Sequence, residues 1–264
     1  MIEGISAAPD LVLESHEGSV WTVGLNRPAK VNALTKDLLE SIVVALDELT
    51  KLGARAIVLH GCGRAFSAGG DVRAIQAMST DAEREDYLRC YARVGDAIAA
   101  APFPVIAALH GAVYGGGLEL ACVADFRVVD IDAKLCAADI AIGLIPSGGL
   151  TWRLPRLIGP GRASWMLFTN AVLDGATSVQ LGLCDVLSAQ EDALGTALQL
   201  ARSASQFAGH ALASTKQALR QAEEGPLAAS VAFEIEANVL GLRRPDVVAT
   251  LQAKFPPKQA SGQS

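Results

Sequence analysis

Two glycine-rich segments of this chain have the composition of backbone that a ligand can approach closely. The first, residues 61–71, has the sequence GCGRAFSAGGD and directly follows the apolar run at residues 56–59. The second, residues 115–117, separates the strand-like run at residues 105–109 from an apolar stretch that begins at Leu118. Glycine leaves backbone N–H groups uncovered, and at a helix start these groups and the helix dipole stabilise negative charge. The second segment therefore predicts a site for a developing oxyanion.

The first segment has two simpler interpretations. Taken alone, it fits a tight surface turn. It also begins like a dinucleotide-binding fingerprint, but Phe66 stands where the third glycine belongs, which argues against nucleotide binding of that kind.

Glu119 is the single acid among the apolar residues that follow the glycine triplet. It lies three residues after Gly116, on the same face of the predicted helix, so its carboxylate points where the Gly116 amide points. Burial in so apolar a helix would raise its pKa toward general acid or base chemistry. The alternative is a solvated first-turn acid that only interacts with the helix dipole.

Asp139 is a second isolated acid in apolar surroundings, in the segment AADIAIGLIP. It is the natural partner for Glu119. A turn or capping role is equally open, because aspartate is common at such positions.

Strands and helices alternate along the first two thirds of the chain, which predicts an α/β fold. Strand patterns cover residues 20–25, 56–59, 105–109 and 126–129. An amphipathic helix with Thr35 as its N-cap follows the first strand, and a second helix covers residues 84–100. From about residue 192 helical spacing dominates. We expect an α/β core over residues 1–190 and a helical oligomerisation region over residues 191–264.

Composition and charge exclude several classes of function. The net charge of -6 argues against a general nucleic-acid or membrane-surface binder. No apolar run reaches membrane-spanning length. The five cysteines are odd in number and scattered, which predicts reduced thiols and a cytoplasmic location rather than a disulfide framework or a zinc site.

In order along the chain, these segments resemble the enoyl-CoA hydratase/isomerase (crotonase) superfamily. The resemblance is carried by four motifs in register, LNRP…NAL from Leu25, FSAGGD from Phe66, GGGLEL from Gly115, and IGLIPSGG from Ile142 with RLP at residues 153–155. It implies a spiral of β-β-α units with a helical C-terminal region that builds homotrimers or homohexamers. It also implies an acyl-CoA substrate that contains the coenzyme, with no separate cofactor.

The resemblance assigns a role to each candidate site residue. Ala68 and Gly116 match the donors of two oxyanion-hole amides, and Glu119 matches the first catalytic glutamate of the hydratases. The residues expected along the bound thioester are Ala68, Gly69, Gly70 and Asp71, and the basic residues expected near the coenzyme A phosphates are Arg27, Lys30 and Lys254.

Asp139 occupies the position of the second catalytic glutamate, where this chain departs from the pattern. Aspartate is shorter by one methylene, about 1.5 Å of reach, and displacing a catalytic group by about 1 Å can lower the rate about 100-fold. A hydratase needs both acids to hold one water, whereas an isomerase can move a proton between C2 and C4 with one carboxylate. Hydratase is our first interpretation and isomerase the second.

Three further interpretations stay open. Other chemistries of the superfamily, such as lyase or hydrolase activity, are compatible with the same fold. A non-catalytic acyl-CoA-binding relative would keep the amides and lose its acids, which Glu119 argues against. A serine hydrolase could use Ser67 or Ser147 with His60 or His110, but the chain has no Gly-x-Ser-x-Gly elbow.

Dienoyl-CoA isomerases of the superfamily place an aspartate near the position of Ser147. A serine alone cannot act as that base.

Overall fold

The computed structural model describes residues 10–16, 19–188 and 192–254. Its strands, in chain order, are β1 (Leu11–His16), β2 (Val20–Leu25), β3 (Ala56–Gly61), β4 (Val105–Leu109), β5 (Ala112–Tyr114), β6 (Phe126–Asp130), β7 (Lys134–Cys136), β8 (Leu173–Asp174) and β9 (Val186–Ser188). Its helices are α1 (Lys36–Lys51), α2 (Val72–Ala77), α3 (Asp81–Ala100), α4 (Gly116–Val123), α5 (Leu150–Ile158), α6 (Pro160–Phe168), α7 (Gly175–Leu181), α8 (Ala193–Ser205), α9 (Gly209–Glu224), α10 (Leu227–Leu242) and α11 (Pro245–Lys254). Short 3₁₀ turns cover Pro28–Lys30 and Asp139–Ile142. The predicted α/β class is confirmed.

The main sheet has six strands in the order β1-β2-β3-β4-β6-β9. Only β1 runs antiparallel to its neighbour, and all the other pairs are parallel. A smaller sheet pairs β5 with β7 in parallel and β7 with β8 antiparallel. Because β3 and β4 are parallel neighbours, the segments that follow them leave the sheet at the same edge.

Both faces of the main sheet are covered, which explains why its strands are apolar at successive positions. In β3, Ile57 and Leu59 pack into the larger core cluster with α1 and α3, whereas Ala56 and Val58 face the opposite cluster. Three small side chains of α8, Ala193, Ala197 and Ala201, close that second cluster. The alternation follows from the period of two along a strand.

Helix α1 begins where the sequence predicts. The Thr35 side chain accepts a hydrogen bond from the Leu38 amide at 3.2 Å and so caps the helix. The helix buries one apolar face against the sheet, consisting of Leu38, Leu39, Ile42, Ala45, Leu46 and Leu49. Each fully buried leucine contributes about 2 kcal/mol.

Residue contacts divide the chain into a first unit that ends at Phe207 and a second that begins at Ala208. The division falls later than the boundary expected at residue 190, which itself lies outside the described residues. The reason is that α8 packs on β3, β4 and β6 and completes the core of the first unit.

The second unit contains α9, α10 and α11. It confirms the predicted helical character of the C-terminal region. Helix α10 buries Ser230 and exposes several large apolar side chains, Leu227, Val231, Ile235, Val239, Leu240 and Leu242. Within the ranges that the structure describes, no helix is both long and apolar enough to cross a membrane.

Asn32 joins two loops at the edge of the first unit. Its side chain is fully buried, and its amide donates to the carbonyls of Cys62 at 2.9 Å and Ala65 at 2.8 Å. Its side-chain oxygen accepts a hydrogen bond from the Arg27 amide at 2.9 Å. The residue has a φ of 52°, a left-handed conformation that asparagine tolerates better than most residues. Asn32 therefore fixes the start of the first glycine segment.

We expect Asn32→Ala to lower the free energy of unfolding by about 3 kcal/mol, because two buried carbonyls lose their donor. Urea denaturation followed by tryptophan fluorescence measures the change. Asn238→Ala is the matched control, since that exposed side chain donates to the Glu234 carbonyl within α10. A loss at Asn32 no larger than that of the control would contradict the assigned role.

Candidate active site

The two glycine segments meet through backbone pairing. After β3, the Ser67 amide donates to the carbonyl of Ala112 at 3.1 Å, and the Tyr114 amide donates to the carbonyl of Ser67 at 3.0 Å. This places the first segment beside β5, which leads directly into the glycine triplet and α4. A Cβ added at Gly69 would lie 3.3 Å from the Gly116 nitrogen. Backbone of both segments therefore borders one small space.

In the structure, the Ala68 amide already makes a hydrogen bond within the protein. It donates to the carbonyl of Val31 at 2.9 Å, so this N–H is not free to meet a thioester oxygen as the sequence predicted. The Gly69 amide donates to Ser67 Oγ at 3.1 Å. The bridge between Leu34 and Gly70 uses the Gly69 carbonyl and the Asp71 amide. That leaves the Gly70 amide without an acceptor among the described residues.

Gly116 provides a second unpaired amide. As the first residue of α4, its N–H has no intrahelical acceptor, and no other described residue accepts from it. The preceding Gly115 is the N-cap, with φ 49° and ψ -122°, a conformation that glycine adopts without strain. The positive end of the helix dipole lies at the same point, so the position favours negative charge. The oxyanion role expected for Gly116 stays a prediction.

Two tyrosines of α3 pack against these glycines. A Cβ at Gly70 would lie 2.8 Å from the Tyr87 hydroxyl, and one at Gly116 would collide with the Tyr91 ring and hydroxyl. Glycine is thus required at Gly116 for a reason that sequence inspection missed. The missing side chain makes room for Tyr91, not only for a ligand.

Glu119 is buried with only 2% of its surface exposed. Its two carboxylate oxygens accept hydrogen bonds from the Ser147 amide at 2.5 Å and from the Ser147 hydroxyl at 2.6 Å. Burial raises the pKa of Glu119 to about 7, the two Ser147 donors oppose that rise, and the nearby charge of Asp139 adds to it. A carboxylate with this pKa can accept or give a proton near neutral pH.

Asp139 opens the 3₁₀ turn after Ala138, whose φ of 62° is left-handed. One carboxylate oxygen, Oδ2, is buried and has no hydrogen-bond partner within the described chain, and Oδ1 would lie 3.9 Å from a Cβ at Gly115. Burial raises the pKa of Asp139. The two acids are close enough for the charge of Asp139 to raise the pKa of Glu119, and their catalytic partnership stays a prediction.

The basic and acidic residues of the first loop have structural partners. The Arg27 guanidinium donates to Asp71 Oδ2 at 3.0 Å and to the Ala33 carbonyl at 2.5 Å. Asp71 also caps α2 by accepting from the amides of Arg73 and Ala74. Burial alone would raise the pKa of Asp71. These hydrogen bonds outweigh burial and hold the pKa of Asp71 below its usual range. Asp71 therefore holds the loop in place.

Lys30 and Lys254 lie in different units of the structure. Lys30 is exposed at the end of the Pro28–Lys30 turn, in the loop that precedes Asn32. Lys254 is the exposed last residue of α11 in the second unit. The exposed ammonium of Lys30 stays available to an anionic ligand near the first glycine segment.

The geometry disfavours serine-nucleophile chemistry. Ser67 is fully buried, and its hydroxyl donates to the Asn32 carbonyl at 2.8 Å and accepts from the Gly69 amide. Ser147 binds Glu119, and His110 contacts the Gly63 carbonyl at 3.0 Å. Neither serine has the histidine partner that such an enzyme requires. Among the described residues, no group of three or more histidine, cysteine or acidic side chains is arranged to hold a metal ion.

Comparison with known proteins identifies close similarities. A family model described as "Enoyl-CoA hydratase/isomerase" matches residues 15–244. The chain is 36% identical over 221 residues to "Probable enoyl-CoA hydratase EchA17" of Mycobacterium tuberculosis, covering 83% of this chain and 84% of that protein. An enoyl-CoA hydratase structure from Bacillus anthracis has a TM-score of 0.88 at 27% identity, over 93% of this chain and 95% of that one. DspI of Pseudomonas aeruginosa has a TM-score of 0.90 at 27% identity, over 98% and 100%.

These similarities confirm the predicted fold, a crotonase-like spiral with a helical C-terminal region.

The raised pKa of Glu119 makes stability depend on pH. The group titrates near 4.5 in the unfolded chain and near 7 in the folded protein, so the folded state binds more protons between these values. Stability from this group is complete below pH 4.5 and is lost as the pH rises through 7. We expect Glu119→Gln to unfold at a higher temperature than the unsubstituted protein at pH 8, with a gain of the order of 3 kcal/mol relative to pH 5.

Thermal melts of both proteins at pH 5 and pH 8 measure this difference. Glu236→Gln, at an exposed position in α10, is the control and should change neither melt. Equal effects of Glu119→Gln at both pH values would show that the folded protein does not bury this charge.

Proposed function

Because the chain belongs to the enoyl-CoA hydratase/isomerase family, we propose that it is an enoyl-CoA hydratase, which adds water across the C2–C3 double bond of a 2-enoyl-CoA thioester. The observation that carries this proposal is the position of Glu119. Its buried carboxylate, with a pKa of about 7, belongs to the first turn of α4, three residues after Gly116, whose amide is unpaired. The names of similar proteins support the same activity.

The thioester carbonyl accepts hydrogen bonds from the amides of Gly70 and Gly116 in this proposal. Gly70 replaces Ala68 as the first donor, because the Ala68 amide is bound to Val31 and the Gly70 amide is unpaired. Both amides are held by packed backbone before substrate arrives, so they need no reorganisation as negative charge develops on the oxygen. Gly69 precedes Gly70 and approaches Gly116 closely, since a Cβ added there would lie 3.3 Å from the Gly116 nitrogen.

The two acids divide the proton transfers. Hydrogen bonds from Ser147 favour the ionised form of Glu119, so Glu119 takes a proton from the water whose oxygen adds to C3. In this proposal Asp139 gives a proton to C2; burial raises its pKa, and Oδ2 has no hydrogen-bond donor among the described residues. As the water oxygen bonds to C3, the electron pair of the C2–C3 double bond moves toward the thioester carbonyl and forms an enolate, which is then protonated at C2. Solvent then restores both protonation states.

An enoyl-CoA isomerase is the second candidate. An isomerase moves a proton between C2 and C4 with a single base, and that base must be held firmly in place. The two Ser147 hydrogen bonds hold the Glu119 carboxylate in this way, which favours the second candidate. In that case Asp139 would tune the pKa of Glu119 without exchanging a proton with substrate.

Coenzyme A enters the site as part of the substrate, with no separate cofactor. Lys30 is our first choice for the phosphates, because it is exposed in the loop next to the first glycine segment. Lys254 remains a further proposed contact. We also propose a homotrimer or homohexamer, supported by the exposed apolar side chains of α10, such as Leu227 and Ile235.

The acids give the kinetic test of hydration. We expect Glu119→Gln and Asp139→Asn each to lower kcat at least about 100-fold with KM changed less than about 3-fold, because each group acts in the transition state. The assay follows loss of the conjugated thioester absorbance with 2-enoyl-CoA substrates. A severe loss for Glu119→Gln alone, together with conversion of 3-enoyl-CoA to 2-enoyl-CoA, would favour the isomerase.

Lengthening the second acid gives a sharper comparison at the same position. We expect Asp139→Glu to retain hydration, whereas Asp139→Asn loses it, because only the carboxylate can give the proton. Glu236→Gln serves as the surface control. If Asp139→Asn is harmless and Asp139→Glu is severe, Asp139 is structural and the proposed division of proton transfers is wrong.

A further inference from the structure

A pair of buried tyrosines on α3 borders the two unpaired amides. Tyr87 and Tyr91 are one helical turn apart, with 3% and 5% of their surfaces exposed. Their hydroxyl oxygens are 2.9 Å apart, and the rings meet edge to face with centroids 5.6 Å apart. The mechanism proposed above uses neither hydroxyl.

The hydrogen bonds assign the proton of each hydroxyl. Tyr87 donates to the Leu34 carbonyl at 3.0 Å, which uses its single proton. The hydrogen bond between the two tyrosines is then donated by Tyr91. Burial raises the pKa of Tyr87 to about 12 and that of Tyr91 well above 10, so both hydroxyls keep their protons at neutral pH.

The Tyr91 hydroxyl lies at the wall of the candidate site. It contacts the position that a Cβ of Gly116 would take, and it is 3.7 Å from the corresponding position at Gly70. The opposite end of the side chain approaches Gly148, whose added Cβ would lie 3.3 Å from Tyr91 Cβ and 3.8 Å from Glu119 Oε2. Tyr91 therefore packs next to both glycines with unpaired amides, and next to Gly148 near the acid.

We propose that the Tyr91 hydroxyl donates a third hydrogen bond to the oxygen of the acyl thioester. Without substrate, the same hydroxyl donates its hydrogen bond to Tyr87. This inference rests on the oxyanion site of the proposed function and adds a side chain to its two amides. Tyr91 contacts substrate, whereas Tyr87 is a positioning residue.

The change needs only rotation of two hydroxyl groups. When Tyr91 turns its proton to the ligand, Tyr87 can turn its own proton from Leu34 to the Tyr91 oxygen. The Leu34 carbonyl stays satisfied, because it also accepts from the Asp71 amide at 2.9 Å. No proton is gained or lost, and no buried group is left unpaired. Each hydrogen bond in the chain is also strengthened by its neighbour as negative charge develops.

The two tyrosines make a matched pair of single-oxygen deletions. We expect Tyr91→Phe to lower kcat for 2-enoyl-CoA about 10-fold to 100-fold, with KM changed less than about 3-fold, because a donor to a charged oxygen is lost. Tyr87→Phe should lower kcat less, about 3-fold to 10-fold, because Tyr91 keeps its proton for the ligand but loses the neighbour that strengthens its hydrogen bond. The exposed Glu236→Gln is the control and should leave kcat unchanged. Circular dichroism melts establish that both variants are folded.

Binding of 4-dimethylaminocinnamoyl-CoA reads the contact without turnover, because polarisation of its carbonyl moves its absorbance to longer wavelength. We expect a clear red shift with the unsubstituted protein and with Tyr87→Phe, and at most half of that shift with Tyr91→Phe. Equal red shifts in all three proteins would overturn the inference, and so would equal losses in both variants, which would indicate packing alone.

The same titration separates failure of this inference from failure of the hydratase proposal. If the unsubstituted protein does not hydrate 2-enoyl-CoA but shifts the probe, and Tyr91→Phe reduces that shift, the hydratase proposal fails and the Tyr91 contact stands. If the unsubstituted protein leaves the probe spectrum unchanged, no polarising site exists and the inference fails.

Discussion

The backbone pairing of Ser67 with β5 is the contact on which the candidate site depends. Parallel strands β3 and β4 bring their following segments to one edge of the sheet, and this bridge sets those segments side by side next to α4. The approach is close enough that a Cβ at Gly117 would lie 2.6 Å from the Ser67 carbonyl oxygen. Glycine at Gly117 is therefore a requirement of the pairing. The pairing brings the segment that contains Gly70 next to Gly116, and both glycines leave an amide unpaired.

A second consequence is electrostatic. The same helix start that leaves the Gly116 amide free carries Glu119 into a buried position, where a charged carboxylate is costly. Ser147 reduces that cost with two short hydrogen bonds but does not remove it, so the pKa stays near 7. The fold thus keeps an acid at the expense of stability above neutral pH. Such a conflict between local stability and chemistry is typical of functional sites.

Local patterns in the sequence predict most of the elements that position the site. The period of the apolar residues indicates β2, β3, β4 and α1, and the apolar surroundings of Glu119 indicate its burial. The choice between Ala68 and Gly70 as donor is different in kind. It depends on whether Val31, in a distant loop, accepts from one amide. No propensity or spacing near residue 68 carries that information, so the prediction for its amide was wrong.

The side chains around the acids show the same distinction. In the sequence, nothing distinguishes Tyr91 from an ordinary core residue of a long helix. Only its proximity to Gly70 and Gly116 in the structure indicates a role in substrate binding. Ser147 lies far from Glu119 in the chain, so its two hydrogen bonds appear only in the folded structure. Contacts between distant segments thus supply what periodicity does not.

The central claim, that these amides and acids add water to an enoyl thioester, is tested most directly by isotope labelling. The unsubstituted protein is incubated with 2-enoyl-CoA in deuterated, oxygen-18-labelled water, and the product is analysed by mass spectrometry and proton NMR. The account predicts 3-hydroxyacyl-CoA with one oxygen-18 atom at C3 and one deuterium at C2. Deuterium without oxygen-18, or recovery of unlabelled substrate, would contradict it.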